Sequence, residues 1–371
     1  MLCRFATVSV LATALALGSC GTTQSARRYK KSEAAAVLKR LEVVGLELGV
    51  FPFDGAAAVI DGDTVRVKGL DNSLRLLAID TEETFKQDWE KKAFAGGWES
   101  YKKQMRGDSP RPVKMATPLG EEAKKWAEAF FEGVKEVKLE RDHPGEIRDY
   151  FGRYLVYILV EKNGRWLNYN LEAVHAGMSP YFTKYGRSRR FHRELVEAQR
   201  AAREAGLGIW DPRRQHYDDY PERLAWWDAR GDMVARFEKE METQDDHIAL
   251  TRWDSMLKLE QFLGKQVTLL GAVNDIRMAD GGPTVVKLGR SRGNDFDVVF
   301  WDKDVALASG VLSAQGEYVK VRGIVNKYRD EYRNVERLQV VVALPGQVVF
   351  PSAELEKLLA DDEAKTPVDD D

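Results

Sequence analysis

From Ala57 onward the chain alternates apolar and polar residues: Val59, Val65 and Val67 fall at strand spacing, and Leu74 to Ile79 reads as a second strand. Residues 85–117 are polar, rich in Lys, Trp and Gly and without a clear period, and read as an inserted loop. From Glu121 the period changes. Ala123, Trp126, Ala127, Phe130, Phe131 and Val134 recur at the spacing of one helix face. Strands are expected at 136–141 and 154–160, followed by a tight turn at Asn163-Gly164 and a return strand through Arg165-Trp166-Leu167. Helices are expected over 168–176 and 190–205, and Gly206 and Gly208 close the block before Ile209-Trp210. Residues 212–261 are charged and helical in character, with Trp226 and Trp227 as packing anchors. Strand pattern returns from Val267 in VTLLGAV, TVVKL, FDVVFW, YVKVRGIV and LQVVV. These five strands, two of them with an internal glycine, suit a small barrel with bulges.

The fold class is therefore mostly β with α. One barrel with packed helices spans 55–211, a helical linker spans 212–261, and a second barrel spans 262–350, with a short helix and an acidic tail over 351–371. A length of 371 residues accommodates two domains or three. The net charge is −3, from 56 basic and 59 acidic side chains, so any site for a polyanion has to be a local basic patch. Two cysteines cannot form a disulfide scaffold, and the five histidines lie too far apart in sequence for an H-E-x-x-H zinc site.

Residues 1–20, MLCRFATVSVLATALALGSC, place Arg4 before an apolar run from Phe5 to Leu17. The run is too short to span a bilayer and suits an export signal. Leu17-Gly18-Ser19-Cys20 resembles a bacterial lipobox, which implies lipid on Cys20 as the first mature residue. Gly21 after it favours the outer membrane, if the cell is Gram-negative. The alternative is a plain signal peptide and secretion. Residues 21–54 read as a tether with a short helical piece.

Three segments concentrate chemistry: Ile60-Asp61-Gly62-Asp63-Thr64, then Arg75-Leu76-Leu77-Ala78-Ile79-Asp80-Thr81-Glu82-Glu83, and downstream Phe151-Gly152-Arg153. Singly each is weak, because Asp-Gly is commonly a turn and Asp-Thr a helix cap. In this order they combine with the helix from Pro118-Leu119-Gly120-Glu121, WLNYNLEAVHAGM and LGIWD. Together, residues 55–211 resemble the staphylococcal nuclease (thermonuclease) family.

The resemblance implies a five-stranded OB-type barrel that hydrolyses DNA and RNA with calcium, leaving a 3′-phosphate and a 5′-hydroxyl. By position it implies Asp63 and Asp80 as carboxylate ligands of the metal and Thr81 as a ligand through its carbonyl. Glu83 would be the general base, Arg75 and Arg153 the phosphate clamps, and Asp61 an outer carboxylate. Calcium takes oxygen ligands, a carboxylate can take a proton from water, and planar guanidinium groups can meet two phosphate oxygens. The family has proline where Glu82 stands, so Glu82 is a competing candidate for the base. Tyr181, Phe182 and Tyr185 fall near the family's nucleotide-stacking tyrosines. Lys184 and Arg187 lie beside them, a mixture that suits a single strand of nucleic acid.

The second barrel resembles OB-fold nucleic-acid-binding domains of the anticodon-binding type. Lys320, Arg322, Lys327, Arg329 and Arg333 lie near Tyr318, Tyr328 and Tyr332 as a possible stacking platform. The alternative function is a non-catalytic module of the envelope that binds nucleic acid or protein. A lipid anchor at Cys20 predicts that Cys20→Ser moves the protein from the membrane to the soluble fraction. Fractionation of cells expressing the variant checks this, and unchanged membrane association refutes the anchor.

Overall fold

The computed structural model describes residues 46–109, 111–330 and 334–351. The signal-like segment, Cys20, most of the tether, Tyr332, Arg333 and the acidic tail lie outside the described residues.

The N-terminal unit holds one seven-stranded sheet: β1 (Glu47–Pro52), β2 (Val59–Asp61), β3 (Thr64–Val65), β4 (Leu74–Leu76), β5 (Glu136–Glu140), β6 (Tyr154–Lys162) and β7 (Arg165–Asn168). Their order is β1-β5-β6-β4-β3-β2, with β7 on the free part of β6. The Lys68 N–H donates to the Pro52 carbonyl at 3.1 Å, joining β1 to the segment that follows β3. Strand β1 corrects the tether expected over 21–54, since Glu47–Pro52 pairs antiparallel with β5 and belongs to the sheet. Its alternation is blurred by Gly49 and Pro52, which hides the strand from a periodicity argument.

The inserted segment is also not a loop. It contains α1 (Asp88–Ala95) and α2 (Trp98–Arg106), and its aromatics build a core of their own. Tyr101 is fully buried there with Met115, Leu119, Ile209, Tyr217 and Tyr220, and Phe85, Phe94 and Trp98 pack against them. Short helices separated by Gly96-Gly97 show too few turns for a 3.6-residue period to emerge.

Helix α3 (Pro118–Phe130) starts on Thr117, whose hydroxyl accepts from the Gly120 N–H at 2.9 Å, with Pro118 in the first turn. Its Trp126 and Phe130 rings pack on Tyr169, the first residue of α4 (Tyr169–His175). Helix α5 (His192–Glu204) packs beside α4.

The connecting region is more than a linker. Helix α6 (Tyr220–Glu240) buries Trp227 against Phe182 of the N-terminal unit. Its Trp226 indole N–H donates to Glu317 of the C-terminal unit at 3.1 Å. After it, β8 (His247–Ala249) joins the second sheet, and α7 (Ser255–Gln261) precedes β9 (Gln266–Met278). The remaining elements are β10 (Thr284–Gly289), β11 (Phe296–Phe300), α8 (Lys303–Ala308), β12 (Tyr318–Asp330), β13 (Val335–Val342) and β14 (Val348–Val349). Pairing runs β9-β10-β11-β13-β12 and back to β9, so five strands close into a ring in which only β11–β13 is parallel. Closure removes the exposed sheet edges these strands would otherwise have. Among the described residues no helix is long and apolar enough to cross a membrane.

Because Tyr101 fills the core of the insertion, Tyr101→Ala is expected to lower stability by about 3–5 kcal/mol. Urea unfolding measures this, and a change within experimental error would mean that the insertion does not fold as a unit with the barrel.

Candidate active site

Strand β4 and the turn after it carry Arg75, Asp80, Thr81 and Glu83, while the hairpin joining β2 to β3 carries Asp61 and Asp63. Two features bring these segments together. Gly62 faces Thr81 so closely that a Cβ on it would stand 2.6 Å from Thr81 Cγ2, so only glycine fits without displacement. Tyr169 donates its hydroxyl to the Gly62 carbonyl at 2.7 Å, and Asn170 donates to the Leu77 carbonyl at 2.7 Å. The first residues of α4 thus clamp both turns from below. Ala78, at φ +62°, makes the sharp bend between Arg75 and Asp80. That conformation costs roughly 1–2 kcal/mol for a residue with a Cβ, and such strain is usual at sites held by their surroundings.

The centre of the cluster is Arg75. Its guanidinium forms an ion pair with Asp63 through one terminal nitrogen and with Asp80 Oδ1, at 2.5 Å, through the other. The second nitrogen also donates to the Ile79 carbonyl at 3.1 Å. Asp63 accepts from the Thr64 hydroxyl at 2.8 Å and from the Thr81 N–H at 3.2 Å. Ser179 accepts from the Asp80 N–H at 2.8 Å. Glu83 is held from two sides, with Lys86 Nζ at 3.0 Å and Lys114 Nζ at 3.6 Å, and Lys114 also reaches Asp80 at 2.7 Å. Burial by itself would raise the Asp63 pKa, but the charges of Arg75 and Lys114 outweigh it and hold the carboxyl well below the usual range. Asp61 goes the other way. Burial, then the neighbouring Asp63 charge, push it up to about 6.

Residues 73–212 match the staphylococcal nuclease homologue family. The chain is also 30% identical, over 155 residues, to the uncharacterized protein MJ1439 of Methanocaldococcus jannaschii, a span of 41% of this chain and 69% of that protein. The chain belongs to the staphylococcal nuclease homologue family. Membership points to nuclease-like hydrolytic chemistry on nucleic acid in the part of the chain that the match covers.

Within this nuclease domain the structure sorts the residues singled out by sequence. It brings Asp63, Asp80, Arg75 and Glu83 together, with Asp61 at the rim through Lys86, 3.7 Å away. Arg153 lies outside this set of ion pairs. Asp149 binds it at 2.7 Å, and both line a cavity that Arg75 also borders. The register explains the shared face: Arg75 pairs with Leu155, and Arg153 lies two residues earlier on the same strand side.

Glu82 is no competitor for the base. It is 2% exposed, and its carboxylate accepts from the Thr117 hydroxyl, the Tyr217 N–H at 2.8 Å and the Tyr220 hydroxyl at 2.8 Å. Burial raises its pKa, and these three donors oppose the rise. In place of proline's fixed φ, a buried carboxylate pins the turn before Glu83. Gly120 completes that fit, because a Cβ there would come within 2.1 Å of the Glu83 carbonyl oxygen.

Tyr181 is a correction. At 3% exposure it belongs to the barrel core, and its hydroxyl accepts from the Ser188 N–H at 2.8 Å, so its ring has no face for a base. Tyr185, 58% exposed, does have one. Arg187 is paired with Asp232 at 2.5 Å, whereas Lys184 lies 4.5 Å over the Trp226 ring. In the second barrel, Tyr318 is buried and so no stacking platform, while Tyr328 is exposed. Sequence reasoning missed Lys114, which sits in the aperiodic insertion with no pattern to mark it. It also missed Tyr169 and Asn170 as clamps, although both stand in the WLNYNLEAVHAGM segment.

Asp63 and Asp80 carry oxygen donors of the kind a hard divalent cation takes, and in this structure both are paired with Arg75. Among the described residues no cluster of three or more His, Cys, Asp or Glu could hold a metal with side chains alone, so backbone oxygen and water would have to complete a shell.

Asp61 gives a pH signature. Between about pH 4 and pH 6 the folded state keeps a proton that the unfolded chain has released, so stability from this group falls as pH rises through that window. Asp61→Asn is expected to flatten this fall. Urea unfolding without divalent metal across pH 4–7 tests it, and an unchanged profile removes Asp61 as its source.

Proposed function

We propose that this protein is a calcium-dependent phosphodiesterase that hydrolyses DNA or RNA, with Glu83 as the general base. The observation that carries this reading is the convergence of Asp63 and Asp80 on the Arg75 guanidinium, with Glu83 joined to Asp80 through Lys114. Calcium would be held by the Asp63 and Asp80 carboxylates and the Thr81 carbonyl, and when bound it would polarise the phosphate and neutralise part of its charge.

The remaining chemistry falls to side chains. Glu83 takes the proton of an attacking water, a role that requires a carboxylate held within hydrogen-bond reach. Lys86 and Lys114 restrict where its carboxyl group can point. Arg75 exchanges part of its pairing with the aspartates for the equatorial phosphate oxygens, on which charge grows during attack. Its desolvated position makes that interaction stronger than in water. Arg153, held by Asp149 on the same face, meets the phosphate or the leaving oxygen from the cavity side. A guanidinium stays protonated throughout, so neither arginine gives up its charge during turnover. Export with a lipid anchor at Cys20 would bring this activity to the cell envelope.

The competing reading, a module that only binds nucleic acid, lacks support from the residues: Asp63, Asp80, Arg75, Glu83 and Arg153 are all present. Glu83→Gln is expected to lower kcat on single-stranded DNA by roughly 10²–10⁴-fold and to leave oligonucleotide affinity within about twofold. Excess EGTA is expected to stop cleavage by the parent protein, and added calcium to restore it. Cleavage by Glu83→Gln at the parent rate would remove Glu83 from the base role, and full activity in EGTA would remove the metal.

A further inference from the structure

A cavity of about 410 Å³ lies between the two barrels, beyond Arg75. Its volume is that of a small-ligand site. One wall is the nuclease domain, with Arg75, Arg153 and Tyr185. The other comes from outside residues 73–212: Arg230 of α6, and Asn274, Arg290 and Tyr318 of the C-terminal ring. The walls are fixed to each other. Asn274 donates to the Tyr150 hydroxyl at 3.0 Å, the Arg292 N–H donates to the Tyr150 carbonyl at 2.9 Å, and the Trp253 N–H donates to the Gly145 carbonyl at 3.2 Å.

The lining is strongly cationic, with eight Arg or Lys side chains against four carboxylates. Most of these cations are already paired: Arg75, Arg148, Arg153, Arg187 and Arg189 each meet a carboxylate. Lys184 and Arg290 do not. Neither has an ion pair or hydrogen bond among the described residues, although both are partly withdrawn from solvent; Lys184 lies over the Trp226 ring at 4.5 Å, while Arg290 has no ring partner among them. Burial, then the Arg230 charge, bring Lys184 down to about 8, and burial lowers Arg290. A cation taken from water without a counter-ion is costly, and an anionic ligand removes the cost. Beside Lys184 stands an open aromatic surface of this wall, Tyr185. It is backed by Tyr318 at 6.2 Å between ring centroids, and the Arg230 guanidinium lies 4.5 Å over Tyr318.

We propose that the C-terminal ring is the second wall of the substrate site, and that Arg290 binds a phosphate of the nucleic-acid strand whose scissile bond is held at Arg75, with a base on Tyr185. The inference rests on the nucleic-acid reading of the nuclease domain but assigns recognition to residues outside that domain. It gives the second barrel a place in substrate binding without requiring a separate binding face on it.

The test uses the full chain and a short fluorescein-labelled single-stranded oligonucleotide in excess EDTA, with affinity read by fluorescence anisotropy over a range of salt concentrations. Arg290→Ala is expected to weaken binding roughly tenfold and to reduce the log–log salt slope by about 0.7, the share of one phosphate contact on a single strand. Arg290→Lys should restore the slope, which separates loss of charge from loss of folding. Tyr185→Ala should weaken binding with the slope unchanged, as loss of stacking would. Unaltered affinity and slope in Arg290→Ala overturn the proposal. A parent protein that cleaves with calcium alongside a silent Arg290→Ala leaves the hydrolase reading standing and removes the shared wall. A parent protein that fails to cleave, while Arg290→Ala still loses slope, does the reverse.

Discussion

One part-buried guanidinium organises this molecule's chemistry. Arg75 lies between two aspartates that come from different turns, and without it their charges would repel each other in a place with little water. Everything around it serves that convergence. Gly62 lets the first turn touch Thr81, the opening residues of α4 hold both turns by hydrogen bonds, and Ala78 bends the chain so that Asp80 comes back to the arginine. The same residue also borders the cavity between the barrels, so it is the contact point between the carboxylate cluster and the space in which a strand would lie.

Family membership covers the barrel and leaves the rest of the chain to physical argument. The relative in Methanocaldococcus jannaschii carries the name of an uncharacterized protein, so it adds similarity without a known substrate. What this chain adds to the barrel is concentrated around Glu83: an insertion that delivers Lys114, and a buried carboxylate at position 82 where the family pattern has proline. Both act on the residue proposed to take the proton. The additions therefore adjust the placement of the base more than they alter the set of reacting groups.

The strands of both barrels were legible where apolar residues alternate, as at Val59, Val65 and Val67, and the helix from Pro118 was legible from its recurring apolar face. The sequence pattern also pointed to Asp63, Arg75, Asp80 and Glu83 as a group, because their order along the chain is distinctive. Strand β1 was not legible, since Gly49 and Pro52 interrupt its alternation. Helices α1 and α2 were not, because each is about two turns long and its aromatics bury against one another and not along a stripe. Tyr181 was misplaced for a different reason: a tyrosine near an expected stacking position gives no sign in sequence of whether its ring faces solvent or the core. Pairings between distant segments, such as Glu82 with Tyr217 and Tyr220, leave no local trace at all.

That last pairing decides where the protein can be cut. The family match ends at residue 212, yet two of the three donors to the Glu82 carboxylate come from Tyr217 and Tyr220. A fragment trimmed at the homology boundary would leave an acid group stranded in an apolar interior beside the presumed base. The hydrogen bonds that hold the turn before Glu83 thus reach the start of α6, past the end of the family match.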